Sequence, residues 1–229
     1  MAKFVVCTYK AHDCAFTATC NGFEVFNCKD GGSGMAQLTP HLIGKGNVLR
    51  FQFTHKGPDA TFSSGVREAD EGEMVNSLED GDLQMPAGNE LVHKFDSQFD
   101  ELKQLLDTAS VADAGTMLAF AMDYCKAIRT GNKAALKKFN RYRMAEASKT
   151  FGIPLEALEP QMLEMFTFFK DGGADVSEGD VEVQMITHDK VFEVKRKDGN
   201  PLLFKKEEDG SSSSNFIAAI LADGPQVVR

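Results

Sequence analysis

The sequence predicts an α+β fold with an N-terminal antiparallel β region, a central helical segment and C-terminal antiparallel strands. Three observations predict it. Residues 14–28 alternate around Asn21-Gly22, the pair that best tolerates positive φ at both central positions of a type I′ hairpin turn. Apolar residues then recur every three or four positions over 90–172, as they do on one face of a helix. Alternation with a period of two returns over 180–206, which indicates strands again.

The hairpin is the clearest β element of the sequence. With a two-residue loop, Cys20 lies opposite Phe23 and Ala18 lies opposite Val25, so these apolar side chains share one face of the hairpin. We expect that face to be buried. Residues 48–54 alternate in the same way and predict a further strand.

The chain is predicted to consist of a β-rich region over 1–67 and an α+β domain over 90–229, joined by an acidic loop or linker over 68–89. Residues 68–82 hold seven acids and no base, and like charges without partners repel one another and extend the chain. The run lacks the regular offsets of a calcium loop. Whether this segment is a linker or a lid is open.

Within the α+β domain, helices are predicted over 90–172, strands over 180–206 and a short helix over 215–222. Gly131 is suited to end one helix, and Asn132 is suited to cap the next. The β segments at the two ends of the chain could belong to one sheet. In that case the helices would pack as one layer, and the division into two domains would fail.

Four of the five cysteines lie near the N-terminus, and their spacing lacks the close Cys pair that zinc sites ordinarily use. Two disulfides are possible if the protein is exported, and their connectivity is then open. We favour reduced thiols that act as small apolar residues on strands, although the sequence does not decide their redox state. The four are Cys7, Cys14, Cys20 and Cys28. Cys125 is expected on the buried face of a helix.

The net charge and the hydropathy of the chain limit where the protein can be located and which partners it can bind. The net charge of −9 disfavours nucleic acid as a partner of the whole surface. No apolar run approaches the roughly 20 residues that span a bilayer, and the N-terminal apolar stretch is too short for a secretory signal. We therefore expect a soluble, acidic, cytoplasmic protein without membrane partners.

One segment departs from the acidic balance of the chain. Residues 126–149 hold eight basic residues and one acid, a local net charge of +7. Lys133, Lys137 and Arg141 recur at intervals of four and would form one basic edge of a helix. These three residues are the predicted site for an anionic partner. The alternative is a solvated helix face, neutralised by the acids of 68–82.

No established catalytic, metal-binding or phosphate-binding motif is found in the sequence. We therefore predict no metal and no cofactor. Our leading hypothesis for the function is an accessory or ligand-binding protein that binds a small molecule or a protein partner. Self-association into a homo-oligomer is compatible with this hypothesis. Two alternatives remain: an interaction module that uses the basic helix, and an enzyme whose site is assembled from dispersed residues.

Part of the chain resembles a known family. Residues 127–136 resemble the opening of NTF2-like domains, where a helix is followed by a small turn and another helix. Residues 198–210 resemble a strand of that family's curved sheet with its Asp-Gly turn, whereas serines fill 211–214, where the family carries Trp. The resemblance covers about 111–222. It implies a cone-shaped cavity for a small apolar ligand, or a dimer face, and it does not imply catalysis.

Overall fold

The computed structural model of the protein describes residues 3–70, 82–208 and 210–228. The chain divides into two compact units, Met1–Asp107 and Thr108–Arg229. Antiparallel strands occur in both terminal regions with helices between them, so the predicted α+β class is confirmed. The strands of the two units belong to separate sheets, which excludes the single shared sheet.

The first unit is built on two long strands that pair with each other along most of their length. These are β1 (Lys3–Cys20) and β4 (Asn47–Asp70). The shorter strands pair with different stretches of this central pair, in an antiparallel sheet of six. They are β2 (Phe23–Cys28), β3 (Gly32–Gln37), β5 (Leu83–Gln84) and β6 (Glu90–Phe95). Helix α1 (Glu101–Thr108) follows.

A bulge at Asp13, opposite residues 57–60 of β4, changes which side chains of β1 face the core. Asp13 has a positive φ of 49°, and the pairing of β1 with β4 shifts register between His12 and Cys14. Core side chains therefore fall at odd positions before the bulge and at even positions after it. Gly57 makes room for the bulge, because a Cβ at that position would lie 1.7 Å from Oδ2 of Asp13.

The predicted hairpin turn is confirmed. Asn21 and Gly22 have φ angles of 49° and 93°, as a type I′ turn requires. The Asn21 side chain also joins the turn to the start of β4. Its Nδ2 donates to Oδ1 of Asn47 across 2.9 Å, and its Oδ1 accepts from the amide N of Val48 across 2.9 Å. The turn is thus supported by tertiary hydrogen bonds as well as by local preference.

The register of the hairpin agrees with the prediction only next to the turn. Cys20 pairs with Phe23, but Ala18 pairs with Phe26 and not with Val25. A bulge beside Ala18 shifts the pairing by one residue, so Phe26 is buried and Val25 is half-buried. The prediction for Val25 was wrong because turn type fixes register only until the first irregularity.

Two sequence assignments around the acidic segment also differ from the structure. Helical structure was predicted from residue 90, whereas Glu90–Phe95 forms β6 on the edge of β4. Its side chains alternate between exposed and half-buried, which is the strand period. In the predicted linker, residues 68–70 end β4 and residues 83–84 form β5. Residues 71–81 lie outside the described residues, and the boundary between the units falls after Asp107.

The second unit packs helices on a four-stranded antiparallel sheet. The helices are α2 (Ala114–Thr130), α3 (Lys133–Phe139), α4 (Arg141–Phe151) and α5 (Leu155–Thr167). The sheet has the order β12-β11-β8-β7, and β9 and β10 form a separate hairpin. The strands are β7 (Val181–Thr187), β8 (Val191–Arg196), β9 (Leu203–Glu207), β10 (Gly210–Ser214), β11 (Phe216–Leu221) and β12 (Gly224–Val227).

Aromatic side chains fill the core between helices and sheet. The Tyr124 ring of α2 lies 5.0 Å from the Phe216 ring of β11 and 5.9 Å from the Phe166 ring of α5. Edge-to-face contacts at these separations add to the free energy of burying the rings. Gly131, with a φ of 64°, ends α2, and the Asn132 side chain accepts from the amide N of Ala135, as predicted.

The short helix predicted over 215–222 is not formed, and Phe216–Leu221 is the strand β11. The segment is a continuous apolar run, and periodicity does not distinguish a buried strand from a buried helix. β11 lies between β8 and β12, so its residues 216–219 are buried on both faces. Among the described residues, no helix is long and apolar enough to cross a membrane.

Candidate functional site

A polar groove opens on the first unit over strands β1, β3, β4 and β5. It is an open depression with a volume of about 490 Å³. Six of its lining side chains are polar, and three further lining residues are small or apolar. The polar six are Lys10, His12, Ser33, Thr61, Ser63 and Gln84. The remaining three are Ala11, Gly32 and Phe62.

The strand register explains why these polar side chains meet. Lys10 on β1 pairs with Ser33 of β3 on one side and with Ser63 of β4 on the other. Ser63 pairs in turn with Gln84 of β5. Residues directly opposite each other on neighbouring strands project from the same face of a sheet. The four residues therefore form one row across four strands.

A second row lies two residues further along β1. His12 pairs with Thr61 of β4 and projects from the same face as Lys10, because the bulge begins only after His12. Both His12 and Thr61 are exposed. Phe62 points the other way and is 3% exposed in the core of the unit. The polar face of the sheet and its apolar core are thus separated by strand alternation alone.

The groove residues were not predicted as a site. The sequence contains only part of the signal: Lys10 and His12 are two apart, which places them on one face of a strand, but no strand was predicted over these residues. Their partners Ser63 and Gln84 are more than 50 residues away along the chain. Only the pairing of distant strands brings them to the same face.

The structure brings the predicted basic residues to one helical stretch of the second unit. Lys133 and Lys137 lie on α3, Arg141 begins α4, and all three are exposed. The spacing persists across the junction, since the amide N of Asn140 donates to Leu136 O across 3.0 Å. Backbone hydrogen bonding therefore continues from α3 into the junction.

Two of the three predicted cations form ion pairs with acids of the same unit. Lys137 Nζ lies 2.8 Å from Oε2 of Glu159 on α5, and an Arg141 guanidinium nitrogen lies 2.7 Å from Oδ2 of Asp223. Among the described residues, Lys133 forms no ion pair. Exposed pairs of this kind contribute roughly 0–1 kcal/mol each and break readily for another anion. Acids of α5 and of the turn after β11 thus neutralise part of the basic edge.

All five cysteines are free and buried, and the N-terminal four lie on β1 and β2, where they act as small apolar residues of the core. Burial raises the pKa of Cys7 to about 11 and the pKa of both Cys20 and Cys125 to about 12. A thiol with such a pKa stays protonated at neutral pH and is a poor nucleophile. These residues therefore serve packing.

No group of three or more His, Cys, Asp or Glu side chains among the described residues is arranged to hold a metal ion. Among the described residues that line it, the polar groove contains one imidazole and no carboxylate. Its chemistry is that of an ammonium group, an imidazole, three hydroxyls and an amide. Such a set can donate hydrogen bonds to a ligand from several directions at once.

When the chain is compared with models of protein families, with curated proteins and with solved structures, it matches none of them.

Proposed function

We propose that this protein is a non-catalytic binding protein that holds a small polar ligand in the polar groove of its first unit. One observation carries the proposal: six polar side chains from four strands line an open depression of about 490 Å³. Ligand sites in proteins are typically cavities of about 300–1,000 Å³ in which a few polar groups converge.

The strand origin of the groove supports a binding role. The solvent face of a sheet is ordinarily polar, so polarity alone would mean little. Here the polar side chains line an open depression, and paired strands hold each of them in position. Side chains on strands are positioned more accurately than side chains on loops, which reduces the entropy lost when a ligand binds.

The test is a binding screen against sugars, nucleosides, amino acids and organic acids, read out by calorimetry and by the shift of the unfolding temperature. The variant Thr61→Val removes a hydroxyl from the groove, and Thr17→Val is the matched control elsewhere on β1. We expect at least one compound to bind the wild type and Thr17→Val, and to bind Thr61→Val more weakly. Equal binding by all three proteins would contradict the proposal. Turnover of a bound compound would favour the alternative of an enzyme with a dispersed site.

A second proposal concerns the basic edge of the second unit. Lys133, Lys137 and Arg141 are exposed in a segment with a local net charge of +7, and they would bind an anionic protein partner. The observation that favours it is Lys133, which forms no ion pair among the described residues. Reversal of the three charges to Glu should abolish the salt-dependent binding of a polyglutamate peptide. Binding that does not change would remove this proposal.

The resemblance of residues 111–222 to NTF2-like domains also stands as a proposal, for the second unit only. Its apolar cavity or dimer face would be tested by an experimental structure and by sedimentation, which reports the oligomeric state. We also propose that the protein is cytoplasmic, and fractionation of cells would test this location.

A further inference from the structure

The turn between β1 and β2 contains a chemically labile dipeptide. In an Asn-Gly pair, no side chain on the glycine shields its peptide nitrogen, so that nitrogen can attack Cγ of the asparagine. The Cγ–Nδ2 bond then breaks, and ammonia leaves with the proton of the attacking nitrogen. Water opens the resulting succinimide at either carbonyl, which gives aspartate or isoaspartate. Asn21-Gly22 is the only Asn-Gly pair of the sequence.

The native structure opposes this reaction, because both polar atoms of the Asn21 side chain are held. Nδ2 donates to the carbonyl O of His41 across 2.7 Å and to Oδ1 of Asn47 across 2.9 Å. Oδ1 accepts from the amide N of Val48 across 2.9 Å. The attack makes Cγ tetrahedral and draws it into a ring with the backbone, so both atoms must leave these partners. Ring closure therefore requires the turn to open first.

Asn47 is fixed in an orientation that does not adapt to a changed side chain at position 21. Its Nδ2 donates to the carbonyl O of Gly44 across 2.8 Å and to that of Phe95 across 3.3 Å. Its Oδ1 also accepts from the amide N of Ile43 across 2.8 Å. Asn47 is 0% exposed, so a reversed amide would leave these groups unpaired. Position 21 therefore faces an acceptor, and a side chain that donates fits there.

We propose that Asn21 is a modification site at which loss of the native fold of the first unit becomes permanent. Once the turn opens, Asn21 is converted to aspartate or isoaspartate at the rate of an unfolded chain. An aspartate carboxylate has no donor, so it would meet Oδ1 of Asn47 and the carbonyl O of His41 without a hydrogen bond. Isoaspartate also adds a methylene to the backbone of the two-residue turn. In either form the hairpin no longer joins β4, whatever the polar groove binds.

The first experiment compares the rate of deamidation in the native and in the unfolded full-length chain. Both samples stand at the same near-neutral pH and temperature with a reductant, one in buffer and one in concentrated guanidinium. Mass spectrometry of the peptide that holds residue 21 follows the modified fraction. We expect the native rate to be lower by about tenfold or more, because it scales with the small population of the open form. Equal rates, or no reaction in the unfolded chain, would overturn the proposal.

The second experiment tests whether a modified chain can fold again. Wild-type chains are kept unfolded until part of the sample is deamidated, transferred to native buffer, and separated into folded and unfolded fractions. We expect the modified peptide to be enriched severalfold in the unfolded fraction. The same modified share in both fractions would show that the change does not hinder folding, and it would overturn the proposal.

Two variants separate the new charge from the lost amide. Asn21→Asp reproduces one product, and Asn21→Gly is its matched control, since glycine accepts the positive φ of 49° and removes the amide without adding a charge. We expect Asn21→Asp to unfold at a lower temperature than Asn21→Gly, and both to unfold below the wild type. An Asn21→Asp protein as stable as the wild type would contradict a permanent loss of the fold.

Discussion

The phenolic oxygen of Tyr124 donates a hydrogen bond to Oδ1 of Asn140 across 3.2 Å, inside the core of the second unit. Asn140 is 0% exposed, and its Nδ2 donates to the carbonyl of Leu136 across 2.8 Å. Asn140 stands where α3 meets α4, so this hydrogen bond joins the junction of those helices to α2. Buried amides are tolerated where their donors and acceptors are paired, and both groups of Asn140 are paired here.

The variant Tyr124→Phe should lower the free energy of unfolding by about 1–3 kcal/mol. The ring contacts with Phe166 and Phe216 remain, so the change isolates the hydroxyl, and the loss arises because Oδ1 of Asn140 stays buried without its donor. Urea unfolding followed by circular dichroism measures the effect. A double-mutant cycle with Asn140→Ala should give a coupling of about 1 kcal/mol, and zero coupling would contradict the assigned hydrogen bond.

Stability should fall at alkaline pH. Burial raises the pKa of Cys7 from 9.0 to about 11 and that of Cys125 from 9.0 to about 12. Since the folded-state pKa lies above the unfolded one, the stability is fully present below about pH 9 and is lost as the pH rises toward the folded-state pKa. The slope is about 1.4 kcal/mol per pH unit for each thiol.

The measurement is the free energy of unfolding at several pH values between 8 and 11. Cys125→Ala should be less stable throughout, because it leaves a cavity, but its stability should fall less steeply with pH. A wild-type curve that stays flat above pH 9 would rule out the burial of these thiols in protonated form.

The cysteines should resist thiol reagents while the protein is folded. All five are free and buried, so an aromatic disulfide reagent at about pH 8 has no access to their sulfur atoms. In concentrated guanidinium all five should react. Rapid reaction of any thiol in the native protein would show that its side chain is accessible, and mass spectrometry of the labelled peptides would identify it.

Gly57→Ala should destabilise the first unit by about 1 kcal/mol, because the new Cβ would overlap the Asp13 carboxylate and oblige that side chain to turn away. Gly88→Ala is the matched control, since a Cβ at that position meets no atom within 4 Å. Thermal unfolding measures both variants. In an Asp13→Gly background the cost of Gly57→Ala should disappear, and a cost that persists would assign the strain to another neighbour.

The sequence predicted features that depend on neighbouring residues better than features that depend on distant ones. The turn at Asn21-Gly22 and the helix end at Gly131 follow from local backbone preference, and both were correct. The partner of Ala18 was wrong because a bulge lies between it and the turn. The strand at 216–221 was missed because a continuous apolar run shows neither the helical nor the strand periodicity. Its pairing with the strands on its two sides makes it a strand.

In the candidate site, too, some features follow from neighbouring residues and others depend on the pairing of distant strands. That Lys10 and His12 share a face follows from strand alternation. That Ser33 and Gln84 join the same face follows only from the pairing of β3 with β1 and of β5 with β4. The basic edge of α3 was predictable from helical spacing, whereas the ion pair between Arg141 and Asp223 depends on contacts across 82 residues.

The bulge at Asp13 makes β1 tolerant of the loss of this one residue. Inward positions are odd up to Ala11 and even from Cys14, so Ala11 and Cys14 would be two positions apart once Asp13 was removed. That is the spacing of side chains on one face of an uninterrupted strand. Lys10 and His12 would therefore stay on the polar face and Cys14 and Phe16 in the core, whereas removal of a residue elsewhere in β1 would turn one part of the strand over.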